Sequence, residues 1–356
     1  MRPRIASVGF PGINPLAWVL RSYVFVSRPN TADPSRPPAL FCGAKHARFH
    51  DPSVVYHVLL RCFQGRFLLR PDRRGLLNDI VAGVIGRAQK VWPDVRLYAH
   101  AWLSNHAHLL VQGPPDKLPA FIGFIEREIS RRWGPHIGWS DRMWRRYEST
   151  ALVGTESELR AFAYVLAQGT KENLVSSPLH WPGVHCAVDL VKGRRRRGIW
   201  FDGTAYGRAV QAQRAAAQPK AVKKSDFARK YEIVVARLPG LRALGEKEFR
   251  AYVTDLVGEI VETARAERKA GRAKVMGRRR VLETPRETRR ALPPQPWFEK
   301  RRRMIVWAKM AEATLGYLHR YWAFQRAFRD ASQRFCGGET GVTFPPWAFR
   351  PSVFAG

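Results

Sequence analysis

Acidic residues are scarce in this chain of 356 residues: 29 Asp and Glu stand against 61 Lys and Arg, and 61 − 29 leaves a formal charge of +32. That balance excludes an acidic or near-neutral protein and makes a polyanion the expected partner, with nucleic acid ahead of an anionic membrane surface. Cysteine is equally sparse. Cys42, Cys62, Cys186 and Cys336 lie far apart with no CxxC pair, which predicts neither a zinc knuckle nor a disulfide framework. No run approaches the roughly 18 uninterrupted apolar residues of a spanning helix. Pro11, Pro15 and Arg21 interrupt the apolar N-terminal stretch and no small-x-small cleavage signal follows, so no signal peptide is expected. A GxxxxGK[ST] phosphate loop is also missing. These exclusions point to a cytoplasmic, nucleoid-associated protein with no membrane partner.

What is present suffices for a folded core: 45% of residues are hydrophobic and 12% aromatic. The charge is uneven, since residues 1–191 hold 24 basic and 14 acidic side chains (+10) and residues 192–356 hold 37 and 15 (+22). Residues 1–44, with RPNTADPSRPPALF inside them, read as a Pro/Arg-rich appendage expected to be poorly ordered. Residues 45–190 read as one folded domain. Residues 191–356 read as a basic, mostly helical extension with a Pro-rich linker near RETRRALPPQPW, expected to bind DNA. Along the middle domain VVYHVLLRCF predicts a strand, RRGLLNDIVAGVIGRAQKVW a helix, RLYAHAWLS and HAHLLVQG two strands, and PDKLPAFIGFIEREISRRW a helix. WRRYESTALVG then predicts a strand and ESELRAFAYVLAQGTKENL a helix. The resulting β-α-β-β-α-β-α order predicts an α+β fold of the ferredoxin-like (RRM-like) split type. Beyond it, the stretches from EKEFRAYV and from RRRMIVWAKM onward predict two long amphipathic helices.

The most informative string is Asn105-His106-Ala107-His108. On a strand, positions i and i+2 face the same way, so His106 and His108 present two imidazoles that can chelate a divalent ion. Packing or surface histidines give the same pattern, and the pair alone does not decide. In a helix Tyr164 and Gln168 share a face at i and i+4, an arrangement that is more often structural. Trp102, Trp133, Trp139 and Trp144 can stack on bases or fill the core.

Together these segments resemble a known family. YAHAWLSNHAHLLV looks like the Y-A-x-x-L-M-P-N-H-V-H-L-L signature of the IS200/IS605-type single-tyrosine transposases of the HUH endonuclease superfamily, including their REP-associated relatives. YHVLLRCFQGRFLLRPD resembles the family's opening strand, IEREISRRWG its basic helix, MWRRYESTALV its fourth strand and AYVLAQGTKENLVSSPLHWPG its tyrosine helix, over about residues 46–190. Two departures stand out: Ser104 replaces the usual Pro, and Thr170-Lys171-Glu172-Asn173 replaces the usual V-R-A-G.

The resemblance implies that Tyr164 is a nucleophile and that His106, His108 and Gln168 bind Mg²⁺ or Mn²⁺. Imidazole chemistry by itself favours Mn²⁺ of the two. It implies a DNA transposase that cleaves single-stranded DNA beside hairpins through a 5′-phosphotyrosine and rejoins strands without ATP, and it is compatible with a homodimer. Two alternatives stand beside it: a domesticated REP-associated endonuclease that processes hairpin repeats, and a non-catalytic hairpin-binding protein. Arg127, Arg131, Arg132, Arg145 and Arg146 are candidate phosphate contacts, with a solvated surface as the other reading.

Overall fold

The computed structural model describes residues 47–215, 221–288, 306–308 and 311–351. The appendage at 1–44 and most of the Pro-rich linker lie outside the described residues. The chain runs β1 (Val55–Arg61), α1 (Leu76–Val91), β2 (Arg96–Trp102), β3 (His106–Gln112), α2 (Lys117–Trp133), β4 (Glu148–Val153), α3 (Thr155–Leu166) and α4 (Cys186–Val191). It continues with β5 (Arg197–Phe201), α5 (Gly203–Ala215), β6 (Ala228–Glu232), α6 (Glu246–Ala270), α7 (Arg278–Glu283), β7 (Val306–Ala308) and α8 (Ala311–Cys336). The protein is α+β, with a mixed five-stranded sheet in the order β2-β3-β1-β4-β7 and a separate β5-β6 pair. The first four strands pair antiparallel, and β7 adds to β4 in parallel.

Period-two alternation sorts the sheet into two faces. Tyr56, Val58 and Leu60 of β1 and Ala107, Leu109 and Val111 of β3 enter one core layer with Ile80, Val84 and Ile85 of α1, Phe121, Ile125 and Ile129 of α2, and Tyr317 of α8. Val55 of β1 and Leu110 of β3 enter the opposite layer with Phe162, Val165 and Leu166 of α3 and Val253, Val257 and Ile260 of α6. Each fully buried aliphatic side chain contributes about 1.5–3 kcal/mol to this sandwich. The start of α1 is fixed by Asp72, whose carboxylate accepts hydrogen bonds from the backbone N–H of Leu76 (3.1 Å) and Leu77 (2.8 Å), satisfying donors that a helix start leaves open.

Beyond residue 191 the described residues are mostly helical, in α5 to α8, and they also supply three short strands. The β5-β6 pair lies flush on α1, and glycine permits the approach: a Cβ on Gly83 would sit 2.2 Å from the Ile199 carbonyl oxygen, and one on Gly198 would sit 2.2 Å from the Gly83 nitrogen. The helix expected from RRRMIVWAKM onward is also corrected. Residues 306–308 form β7, with Leu152 paired to Trp307, and the helix starts only at Ala311. Val306 and Trp307 find an apolar slot at the sheet edge, which local propensity does not report.

Candidate active site

β1 and β3 build the floor of the site. In their antiparallel register Leu59 lies opposite His108 and Arg61 opposite His106, so His57, His106 and His108 share one face of the sheet. The His106 and His108 ring centroids are 4.9 Å apart at 84°. His57 Nε2 and His108 Nδ1 form a 2.8 Å hydrogen bond between nearly coplanar rings. His106 Nδ1 is bonded to Asn105 Oδ1 at 2.6 Å, and Asn105 Nδ2 donates to the Gly65 carbonyl at 3.2 Å, which orients the outer histidine.

α3 supplies the roof. Its apolar face, Ala161, Phe162, Val165 and Leu166, is buried and leaves Tyr164 at the margin. The Tyr164 ring stands edge-on to His108 at 5.5 Å and to His57 at 5.8 Å, with Trp307 of β7 at 6.5 Å on another side. The helix expected to run through residue 174 stops at Leu166. A tight turn follows, with Gly169 at φ +83°, a conformation in which a Cβ is costly. Gln168 therefore lies just past the helix rather than on its next turn. It is wholly buried, and its Nε2 donates to the Tyr164 carbonyl at 3.0 Å. Glu172 closes the turn by accepting from the Gly169 N–H at 2.6 Å and pairing with Lys171 at 2.9 Å. Lys171 Nζ sits 4.2 Å from the centre of the Tyr164 ring.

The electrostatics favour lone pairs over protons. Burial, with the charges of Lys171 and Arg61 behind it, pulls His57 down to about 4. Burial first, then His106, His57, Lys171 and Arg61, holds His108 well below the ordinary imidazole value. Both rings are neutral at pH 7, so one N–H lies between them. If His108 Nδ1 carries that proton, its Nε2 keeps a lone pair, the form of imidazole that binds cations, and His57 is the hydrogen-bonding partner that fixes the tautomer. Two buried atoms here have no hydrogen-bond partner, His108 Nε2 and Gln168 Oε1. The amide oxygen is a donor of electron pairs, and His108 Nε2 is one in that tautomer. Among the described residues no group of three or more His, Cys, Asp and Glu side chains is arranged to hold a metal.

The structure brings together the four sequence candidates His106, His108, Tyr164 and Gln168 only as far as these contacts go, and it leaves the arginines elsewhere. Arg127 and Arg131 on α2 are exposed beside Glu128. Arg132 is turned inward: it pairs with Glu128, donates to the Phe201 carbonyl at 2.8 Å and lies 3.6 Å over the Trp200 ring, so it fastens α2 to the β5-β6 pair. Arg145 and Arg146 line a separate cavity of about 560 Å³ with Arg48, Arg142 and Glu126. Trp102, Trp133 and Trp144 fill the core, while Trp139 packs against it partly exposed. Sequence reasoning missed His57, Lys171, Glu172 and Trp307. The two-residue step from Val55 along β1 was the only local signal for His57, and nothing local marked Trp307.

No family model matches the chain, and no curated protein matches it. Among solved structures, that of a REP-associated tyrosine transposase bound to a REP hairpin is similar, at 17% identity and a TM-score of 0.32, covering 42% of this chain and 87% of that one. No helix among the described residues is long and apolar enough to cross a membrane.

Proposed function

We propose that the protein is a metal-dependent single-stranded DNA endonuclease and strand transferase that cleaves beside hairpins with Tyr164 as nucleophile, on a sheet whose β2-β3-β1-β4 order fits a ferredoxin-like split domain. The observation that carries this reading is the placement of the Tyr164 ring 5.5 Å from His108, beside two buried polar atoms without partners, His108 Nε2 and Gln168 Oε1. Each buried and unpaired polar group costs about 1–3 kcal/mol, a cost that a bound ion would offset. The motif resemblance of residues 46–190 and the charge of +32 support a nucleic-acid substrate.

His106, His108 and Gln168 would hold Mn²⁺ or Mg²⁺. Such an ion, when bound, withdraws charge from a phosphate and orients it for attack. The chain does the rest. Tyr164 Oη forms a bond to phosphorus as the bond from phosphorus to the 3′ oxygen breaks; the phenol proton is lost to water and the leaving oxygen takes one up as a free 3′-OH. The product is a 5′-phosphotyrosine. Attack on it by a 3′-OH of another strand releases Tyr164 and restores a phosphodiester without ATP, since one phosphoester replaces another at each step.

Incubated with a hairpin oligonucleotide bearing single-stranded flanks and Mn²⁺ or Mg²⁺, the protein should form an SDS-stable adduct with the 5′-phosphate end of the fragment downstream of the cut. Tyr164→Phe should abolish the adduct and keep hairpin binding. An adduct that persists in that variant, or one indifferent to EDTA, overturns the assignment. Hairpin binding with no adduct under any metal points instead to a non-catalytic binder.

A further inference from the structure

The turn after α3 directs Lys171 into the site, its Nζ 4.2 Å from the centre of the Tyr164 ring. Its side chain is 22% exposed, and among the described residues its ion-pair partner is Glu172, itself at 28% and partly engaged by the Gly169 N–H. Although burial works to lower it, Glu172 and the Tyr164 phenol hold the Lys171 ammonium above its ordinary value, so it stays charged. Toward Tyr164 the cation faces a neutral phenol, and the reaction proposed for Tyr164 creates an anion on the phenol oxygen and delivers another on the phosphate.

We propose that Lys171 is a catalytic residue of the Tyr164 reaction, its ammonium stabilising the phenolate charge as it develops on Oη and contacting a non-bridging oxygen of the phosphate it attacks, with Glu172 holding it in place. The inference rests on the endonuclease reading above. Lys171 keeps its proton throughout; the Tyr164 proton goes to water as the Oη–P bond forms, and the 3′ oxygen takes its proton from water as it leaves. The contribution is electrostatic, preorganised by the turn that Gly169 makes at φ +83° and that Glu172 locks. The same cation works in reverse, when a 3′-OH attacks the phosphotyrosine and the phenolate becomes the leaving group.

The test is the single-turnover rate of adduct formation beside hairpin affinity measured by fluorescence anisotropy. Lys171→Met should lower the rate by about 10²-fold, the usual effect of removing one preorganised donor, and leave the hairpin Kd within about threefold, on the order of the loss of one phosphate contact among many. Lys171→Arg, which keeps the charge, should restore the rate to within about tenfold of wild type, because one charged donor replaces another. Lys171→Met/Glu172→Gln leaves no unmatched buried charge and is measured in parallel in case the single variant misfolds; it should show the same slow rate. A rate within about threefold of wild type in either Met variant, well short of the effect of a lost donor, overturns the proposal. A loss confined to Kd does so as well. If the wild-type protein itself yields no adduct, the endonuclease reading fails and Lys171 with it, an outcome distinct from wild-type cleavage that ignores Lys171.

Discussion

β1 and β3 present two chemistries from adjacent residues. Toward α1 and α2 they offer Tyr56, Val58, Leu60, Ala107, Leu109 and Val111, all in one apolar layer. Toward α3 they offer His57, His106 and His108, joined by ring contacts and a hydrogen bond. The first face stabilises the sheet and the second carries the candidate site residues, and the pleat keeps them apart. On the function proposed above, the floor of the site is a rigid sheet that Gln168 and Lys171 reach from a turn, so each side of the sheet should fail differently when cut.

The sharpest way to break the comparison is a pair of neighbours. His108→Ala should reduce adduct formation by about 10³-fold or more, as loss of a group acting with the nucleophile does, while lowering stability by about 1–3 kcal/mol from the partner left unpaired on His57. Leu109→Ala should do the opposite, costing about 2–5 kcal/mol in urea unfolding with adduct yield per folded molecule preserved. Equal losses of activity in both variants would mean that the two faces are not functionally separate.

A smaller effect tests how far the C-terminal half belongs to the fold. Gly83→Ala places a Cβ against the Ile199 backbone, and such overpacking costs about 1–3 kcal/mol. Thermal unfolding should show a lowered midpoint while adduct formation is unchanged below it, since Gly83 lies on the apolar side. An unchanged midpoint would show that the β5-β6 pair is loosely attached.

Much of the site's floor was legible because alternation is a local rule: Asn105-His106-Ala107-His108 on a strand already puts both imidazoles on one face. The rest depends on pairing across the chain. His57 reaches His108 only through the β1-β3 register, and Trp307 reaches Tyr164 only because a three-residue strand docks on β4, more than 150 residues after that strand in the chain. Lys171 was visible as a departure from a motif, but its place over the phenol depends on the helix ending at Leu166 rather than continuing. The arginines show the converse. Helical spacing grouped Arg127, Arg131 and Arg132, yet Arg132 finds Glu128 and Trp200 and is spent on packing.

The smallest expected effect lies in the response to pH, where buried histidines and a buried carboxylate act with opposite sign. Burial pulls His100 down to about 3, and burial with a nearby arginine pulls His185 and His50 down to about 4. Their folded values lie below an unfolded value near 6.5, so the unfolded chain binds protons first; stability is fully present above about pH 6.5 and is lost as pH falls toward 4. On the α2 side burial pushes Glu126 up to about 7, against the pull of Arg48 and Arg142. Its folded value lies above the unfolded one near 4.5, so its contribution is present below that and is lost as pH rises through 7. Thermal midpoints measured from pH 4 to 8.5 should therefore pass through a maximum. Glu126→Gln should flatten the decline between pH 5 and 7.5 and leave the acid limb in place, because the buried histidines set that limb. A variant curve that parallels wild type over the whole range would remove Glu126 as the source of the decline.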